Sequence, residues 1–380
     1  MDSPEYDEIG NRVRVRALQQ RGVSVWSAER VYISPEVPLE AIEPGAVLMN
    51  AVIRGKRTVI GREARIGEQG SAAVTDVQIG RDVELGAGSY RHCVLFHGVK
   101  VRGFAELRAG TVLEEGAELG HTVGLKNTFF GAWAVAGSCI NFCDAYVSGG
   151  TSRQDHTEIG SGAMHFNFSP KRDKFGSLLG GSQGLLGKEA PIFVGGNTGI
   201  VAPVSIPFGS LIPAGTTVRS WADHPGTIST TEQYRRKLSA TAAVLGALRA
   251  TIIWYEKVRM PVTHAGSIDH LEAVLVREAI LQLQAHFDWR SVQLRRYVER
   301  VAYRFDTIEQ CLGRNLCDSV AEQGETPPVP MQFEREYQTL RARETHVEAI
   351  SLLSSESVNS GKAWLEGIED QIVRMIRQIL

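Results

Sequence analysis

Aliphatic residues recur at every sixth position through long stretches of this chain. Two registers run without a slip: Leu95, Val101, Leu107, Leu113, Leu119 and Leu125, and then Val194, Ile200, Ile206, Ile212 and Val218. A period of six matches neither the 3.6 of a helix nor the 2 of a simple strand. It is typical of a hexapeptide β-helix, in which each unit builds one flat face of a three-sided coil and points its aliphatic residue inward.

Glycine follows many of these aliphatic residues, as in Ile60-Gly61 and Leu85-Gly86. A coil must turn sharply at each corner, and glycine allows such a turn at little steric cost. The pattern predicts a left-handed parallel β-helix over residues 46–220, with roughly eight coils of about 18 residues. The register breaks near residues 67–71, 148–158 and 169–191, where we expect loops at the corners.

Beyond about residue 221 the apolar spacing becomes helical. It predicts an all-α bundle with helices from a capping box at Ser229 to about Tyr255, and over 269–287, 288–312, 332–354 and 362–380. The chain thus divides into an N-terminal segment (1–45), the β-helix (46–220) and a helical domain (221–380). Since an end coil exposes unpaired backbone edges, we expect the helices to cover the last coil and the copies to form a homotrimer. The alternative is a monomer whose helices fold back along one face.

Composition excludes several classes of partner. The net charge is −2, so no overall field attracts nucleic acid or an anionic membrane. No apolar run reaches the ~18 residues of a membrane span, and we expect a cytoplasmic protein without a signal peptide. Five scattered cysteines favour free thiols. Cys139 and Cys143 have no second pair at zinc-site spacing, so no metal is expected.

Several motifs follow one another in a specific order. They are Leu-Lys-Asn at 125–127, Asn167-Phe168 with Lys174 downstream, Val-Gly-x-x-Thr at 194–198, Val-Ala-Pro-Val at 201–204 and Ala-Gly-Thr-Thr-Val at 214–218. Over residues 119–218 the chain resembles the acyltransferase half of the bacterial bifunctional N-acetylglucosamine-1-phosphate uridyltransferase. It is also similar to the C-terminal domains of related sugar-phosphate nucleotidyltransferases. The first 45 residues are too few for that family's nucleotidyltransferase domain.

The resemblance implies a set of ligand contacts. A small-molecule acceptor would be held by the following residues: Lys126, Asn127, Ser138, Asn141, Asn167, Phe168 and Lys174. An acyl-CoA co-substrate would lie along Gly196 and Ala214. The chemistry is reasonable, because lysines pair with a sugar phosphate and amides match sugar hydroxyls. Solvated lysines and turn asparagines remain the alternative interpretation.

The chain departs from the family at its catalytic base. The family has a histidine after Ala-Gly, whereas this chain has Ser138, and the aromatic residue three positions later is Asn141. A serine hydroxyl does not deprotonate an acceptor near neutral pH. The replacement candidates are His165, which strand alternation puts on the same side as Asn167, and His156, which Asp155 could orient. Both could instead be turn histidines.

Two functions of different classes therefore remain open. The first is a hexapeptide acyltransferase that acts on a sugar phosphate, nucleotide sugar or amino-sugar-like molecule with an acyl-CoA donor. The second is a binding or assembly module that has lost its base, which the serine at position 138 favours. A nucleotidyltransferase is a third and less favoured hypothesis, because no phosphate-binding glycine loop is present.

Overall fold

The hexad register folds as a parallel β-solenoid of about ten turns, as the sequence predicts. The computed structural model describes residues 8–168, 173–219, 230–260, 270–302 and 326–377. Each coil pairs in parallel with the next, so that Lys100 lies opposite Glu118 and Val101 opposite Leu119. The hexad residues fill the interior of the solenoid, from Ile60 to the partly buried Val218. The core is thus the inward stripe that the period of six specifies.

The coil has three flat faces, which we call A, B and C in the order in which the chain crosses them. Face A holds ten strands: β1 (Ser24–Val25), β3 (Val47–Leu48), β6 (Arg65–Ile66), β9 (Glu84–Leu85), β12 (Lys100–Val101), β15 (Glu118–Leu119), β17 (Val135–Ala136), β19 (Glu158–Ile159), β22 (Phe193–Val194) and β25 (Leu211–Ile212).

Faces B and C are joined by two long strands that bend across the corner between them. Face B holds β2 (Val31–Ile33), β4 (Ala51–Arg54), β7 (Ala72–Thr75), β10 (Gly88–Arg91), β13 (Ala105–Leu107), the first residues of β16 (Gly124–Phe130) and β18 (Asn141–Val147), β20 (Met164–Phe166), β23 (Gly199–Val201) and β26 (Thr217–Arg219). Face C holds β5 (Val59–Ile60), β8 (Gln78–Ile79), β11 (Cys93–Leu95), β14 (Thr111–Leu113), the last residues of β16 and β18, β21 (Ser177–Leu179) and β24 (Ser205–Ile206).

The bend in both long strands is a residue with positive φ. Asn127 has φ 46° and Asp144 has φ 66°, at equivalent places of successive coils. Asparagine and aspartate tolerate this left-handed conformation better than most residues, because their short polar side chains bond locally. Asn127 is therefore a corner asparagine, whatever else it does.

The solenoid begins inside the N-terminal segment. β1 pairs with β3 and β2 with β4, so two strands precede residue 46. Helix α1 (Glu8–Gln20) lies at this end and buries Leu18 in the solenoid core. Its Asn11 donates from Nδ2 to the Val31 carbonyl at 2.9 Å and accepts the Ile33 N–H at 2.8 Å. These bonds satisfy part of the first coil's open edge.

Five further helices follow the solenoid in the described part of the chain. They are α2 (Thr230–Trp254), which continues as a π-helical turn over Tyr255–Arg259, α3 (His270–Ala302), α4 (Met331–Arg341), α5 (His346–Leu352) and α6 (Ser355–Arg377). The bundle is confirmed. The predicted capping box at Ser229 and the predicted helical residues 303–312 and 378–380 lie outside the described residues.

Three predicted helix boundaries are wrong. Asp288 does not start a new helix, because its carboxylate accepts from Gln284 Nε2 at 2.8 Å on one continuous α3. The predicted 332–354 helix is two helices, since Thr345 forms a capping box with Glu348. Gly361 does not break α6, because it lies where an added Cβ would be 3.1 Å from the Phe333 ring, so a small residue is needed there.

The helices pack along face C and not over the last coil. Val94, Val112, Phe129, Tyr146 and Leu178 point outward from this face and share a core with the helices. The prediction that the bundle covers the terminal coil is therefore wrong for the described residues. The alternative of helices folded along one face is observed, because apolar outward positions on face C provide a surface to bury.

Among the described residues, one helical segment, Lys237–Arg259, is long and apolar enough to cross a membrane, but 83% of its apolar window is buried.

Candidate functional site

The corner where the chain passes from face A to face B carries one column of equivalent positions. Strand register places the following residues one above another in successive coils: His121, Ser138, Ser161, Gly196 and Ala214. Backbone hydrogen bonds link the coils here, from Gly162 N to Ser138 O at 2.8 Å and from Gly215 N to Gly196 O at 2.9 Å. The structure thus brings Ser138, Gly196 and Ala214, predicted from the sequence, to a single corner.

A histidine stands beside Ser138 in this column. Ser138 Oγ lies 2.7 Å from His121 Nδ1, and Ser138 N donates to Ser161 Oγ at 3.0 Å. His121 is exposed, so its other ring nitrogen is open to a ligand at the surface. Sequence reasoning missed this pair because the histidine is 17 residues before Ser138. The available signal was Leu119-Gly120-His121, which repeats the motif one coil early.

Three cations surround Cys143 on the outer side of face B. Arg108 Nη2 donates to the Cys143 sulfur at 3.3 Å, and Lys126 lies opposite Cys143 in the strand register. Burial raises the pKa of the Cys143 thiol, while the charges of Arg108, Lys126 and Lys174 lower it by less. The charge of Asp144 opposes them, and Arg108 Nε also lies 3.9 Å from Glu106 Oε2, so this patch of three cations is partly neutralised. Arg108 was missed from the sequence, since only the fold puts it one coil below Lys126.

Asn141 and Phe168 lie at the margins of this patch. Asn141 is exposed at the start of β18, and its Oδ1 lies 3.7 Å from the Cys143 sulfur. Phe168 is 67% exposed and pairs with Lys174 across the base of a loop. The tip of that loop, residues 169–172, lies outside the described part. Asn141, Phe168 and Lys174 are thus brought together with Lys126.

The two asparagines of the predicted sugar site point elsewhere. Asn127 Nδ2 donates to Asp144 Oδ1 at 3.0 Å, and Asn167 Nδ2 donates to Asp144 Oδ2. Asp144 also forms a buried ion pair with Arg290 Nη2 of α3 at 3.0 Å. Burial alone raises the pKa of Asp144. Arg290 and the two amides lower it by more, so the pKa lies below the ordinary value. Both amides therefore hold a buried carboxylate.

His165 lies inside the solenoid. Its Nδ1 is 2.7 Å from the Cys143 carbonyl and its Nε2 is 2.8 Å from Ser177 Oγ. Burial lowers the pKa of His165 to about 4. The side chain is on the same side as Asn167, as predicted, but that side faces inward. Both ring nitrogens are occupied, so this geometry offers no base to a surface ligand.

His156 and Asp155 lie at a different corner, between faces C and A. The Asp155 carboxylate accepts from Thr151 Oγ1 at 2.8 Å, and His156 Nδ1 is 2.9 Å from the Arg153 carbonyl. The aspartate therefore does not orient the histidine. The structure does not bring either residue to the patch around Cys143, because face A separates the two corners.

Comparison with known proteins finds relatives that match about half of the chain. The chain is 30% identical over 207 residues to bifunctional protein GlmU of Carboxydothermus hydrogenoformans, which covers 54% of this chain and 42% of that protein. It is 31% identical over 200 residues to GlmU of Nitratidesulfovibrio vulgaris strain DP4, covering 52% of this chain and 39% of the relative. The Staphylococcus haemolyticus protein is 30% identical over 214 residues, covering 53% and 42%. No protein-family profile matches. The chain spans about two fifths of these relatives' length.

Proposed function

From a hexapeptide-repeat solenoid that is similar to proteins named bifunctional protein GlmU, we propose that this chain is an acyltransferase with an anionic small-molecule acceptor. The observation that supports this best is the His121–Ser138 pair, which lies at the position of the family's missing base. The cationic patch lies on the neighbouring face, and the Gly196 and Ala214 positions continue the same corner. Base, acceptor site and donor groove would then be contiguous.

The acceptor is a sugar phosphate, a nucleotide sugar or a similar amino-sugar derivative. Arg108, Lys126 and Lys174 provide three positive charges around one point, which suits a phosphate better than a neutral sugar. Asn141 offers an amide to hydroxyl groups, and the exposed Phe168 offers an apolar surface to a ring. Asn127 and Asn167 support this site through Asp144 and do not touch the acceptor.

The donor is acyl-CoA. The corner column has no long side chain at positions 196 and 214, so an extended chain carrying a thioester fits along it. His121 removes the proton from the acceptor amine or hydroxyl as that group attacks the thioester carbonyl. The new bond forms at the carbonyl carbon, the carbon–sulfur bond breaks, and the coenzyme leaves as a thiol with the proton passed from His121. Ser138 holds the imidazole through its Nδ1.

The direct test measures release of coenzyme A thiol from acetyl-CoA with a panel of amino-sugar phosphates and UDP-amino sugars. We expect turnover with an acceptor that carries both an amine and a phosphate. Lys126→Ala should raise its KM, and Lys56→Ala, at a lysine of another part of the solenoid, serves as the matched control. Binding of acceptor without turnover would instead favour the assembly module, and binding of neither ligand class would contradict the acyltransferase.

We further propose that the chain acts in the cytoplasm as a homotrimer in which neighbouring copies border the corner groove. Charged side chains line much of face A, and the ladder Arg65, Glu84, Lys100 and Glu118 is one example. Face B carries exposed Met164 and Phe166. An apolar strip beside the donor corner is where a second copy would close the site.

A further inference from the structure

A second cluster of reactive side chains lies at the junction of the solenoid and the helices. Glu114 and Glu115 occupy the corner between faces C and A, and His346 begins α5. All three residues are buried, and one ligand atom from each lies within 4.8 Å of the others. The cluster is on the other side of face A from the His121 corner, so it does not belong to the proposed acyl-transfer site.

The two carboxylates are only partly satisfied. Arg259 of the π-helical turn donates from Nη1 to both Glu114 oxygens at 3.1 Å and from Nη2 to Glu115 Oε1 at 2.6 Å. Glu115 is 4% exposed, and its Oε2 receives no hydrogen bond from an N–H or hydroxyl donor in the described part of the chain. Burying a carboxylate oxygen without a hydrogen-bond donor costs free energy, so a positively charged partner at this atom would stabilise the folded chain.

His346 is oriented towards these carboxylates by a tyrosine. Its Nδ1 lies 2.9 Å from Tyr337 Oη, and the ring is 7% exposed. If Nδ1 donates to the tyrosine, the Nε2 lone pair remains for a ligand. Metal-binding histidines are typically held in this way through the second nitrogen.

The cluster opens on a cavity. A space of about 610 Å³ is lined by Glu115, His346, Trp133 and residues 341–347. Its solenoid wall is formed by the following residues: Arg81, Asp82, His97, Gly98, Glu115, Gly116 and Trp133. Glu115 and His346 therefore border this space, with the Glu115 Oε2 atom itself buried, and Arg259 lies on the other side of the carboxylates.

The charges around the cluster do not cancel. Arg259 and Arg341 face Glu114, Glu115 and Glu272, with Arg341 paired to Glu272 at 2.7 Å. With every carboxylate ionised, the group carries one negative charge in excess in a buried place. A proton or a bound cation compensates that charge.

We propose that Glu114, Glu115 and His346 bind a divalent transition-metal ion whose remaining coordination positions face the junction cavity. Two carboxylates and one imidazole are a ligand set that Zn²⁺, Mn²⁺, Co²⁺ and Ni²⁺ accept, and three protein ligands with an open position are typical of exchangeable sites. The site departs from the expectation of no metal. The sequence could not reveal it, because His346 is far along the chain from the two glutamates.

The test uses the full chain after treatment with a chelator. Calorimetric titration with Zn²⁺, Mn²⁺, Co²⁺ and Ni²⁺ should show one ion bound per chain for at least one metal. Visible absorption of the Co²⁺ form should show the bands of a low-coordinate nitrogen and oxygen site. Glu115→Gln and His346→Asn should each weaken binding by more than about 100-fold. Tyr337→Phe, which removes only the group that orients the imidazole, should weaken it about 10-fold.

The matched controls are His92→Asn and Glu84→Gln, at a histidine and a glutamate elsewhere on the solenoid. They should bind as the parent chain does. Thermal unfolding of each variant reports whether it is folded, and the mild Tyr337→Phe change keeps the test informative if a stronger variant unfolds. Absence of binding by the parent chain for all four ions at micromolar concentration would overturn the proposal. Equal affinity of His346→Asn and His92→Asn would overturn it as well.

Discussion

At the corner between faces A and B, an imidazole from one coil reaches the hydroxyl of the next. His121 and Ser138 lie 2.7 Å apart, although neither is a neighbour of the other in sequence. In the proposed function, Ser138 holds the base His121, which is supplied from one coil below. The acyltransferase proposal depends on this pair.

Replacement of the imidazole tests its role. His121→Ala should lower kcat for acyl transfer about 100- to 10,000-fold, because general base catalysis contributes that much. Ser138→Ala should have a smaller effect, since it removes only the orienting hydroxyl. Steady-state thiol release measures both. His156→Ala, at the opposite corner of face A, is the control, and a loss there with normal turnover of His121→Ala would refute the assignment.

Buried neutral histidines make the stability of the fold depend on pH. Burial lowers the pKa of His165 to about 4 and that of His286 to about 3, whereas an unfolded histidine titrates near 6.5. Above about pH 6.5 both states are neutral and stability is complete. As the pH falls towards 4, these histidines bind protons in the unfolded chain but stay neutral in the folded chain, so the free energy of unfolding falls.

The contribution of one histidine is measurable by difference. For His165 the depressed pKa corresponds to about 3 kcal/mol lost by pH 4. His165→Asn should therefore show a shallower fall of unfolding free energy between pH 7 and pH 5 than the parent chain, in urea titrations. His92→Asn, at an exposed histidine, should keep the parent's slope. An unchanged slope in His165→Asn would show that this ring is not neutral and buried in solution.

At the scale of elements, helix α3 reaches across the corner between faces B and C. Arg290 is fully buried, pairs with Asp144 at 3.0 Å and donates to the Lys174 carbonyl at 3.2 Å. It thus contacts both the corner carboxylate and the backbone of Lys174. This gives the helical domain a part in shaping the acceptor patch.

Removal of Arg290 should have two separable effects. Arg290→Met leaves the Asp144 carboxylate buried without its ion-pair partner, which costs about 3–5 kcal/mol of unfolding free energy. It should also raise KM for the acceptor more than it lowers kcat, because Lys174 is displaced and His121 is not. Urea denaturation and steady-state kinetics measure the two. Arg296→Met, at an exposed arginine on the same helix, is the control.

A second change distinguishes a charge effect from a packing effect. Asp144→Asn combined with Arg290→Met removes both charges and should recover part of the lost stability. If the double variant is as unstable as Arg290→Met, the stabilisation comes from packing of the arginine stem, and the ion pair is not its cause.

The sequence predicts these elements unevenly, for physical reasons. A period of six is imposed by burial in every coil, so it specifies the solenoid. Helix ends depend on local contacts that no period records: Asp288 bonds to Gln284 within a helix, and Gly361 accommodates the Phe333 ring. The pattern also does not specify whether a side chain points inward or outward. Strand alternation correctly put His165 on the same side as Asn167, but it did not indicate that this side faces the interior.

Long-range pairs were not predictable at all. Arg290 and Asp144 meet because α3 packs on face C, and the sequence does not specify that face. The same holds for His346 and the glutamates at positions 114 and 115. Lys126 and Lys174 were predicted from the family resemblance alone, because Lys174 lies where the repeat register is broken and the period of six assigns it no position.

At the scale of the whole molecule, helices cover face C in the described part of the chain, and we expect face B, with its exposed Met164 and Phe166, to contact other copies. We expect a homotrimer, and light scattering should give about three times the 41.6 kDa chain mass. Phe166→Asp should weaken the trimer, because it puts a charge into the exposed apolar strip of face B. Glu84→Gln should leave it intact. A monomer at micromolar concentration would contradict the assembly.

In a stack of coils, side chains at equivalent positions of neighbouring coils can replace one another. Because every corner repeats the same backbone, a functional group lost from one level can be replaced from the level above or below with little movement of its tip. Homologues of such chains are therefore better compared by columns of equivalent positions in stacked coils than by single residues aligned in sequence. When a motif lacks its functional residue, the equivalent position in the adjacent coil is the next place to examine.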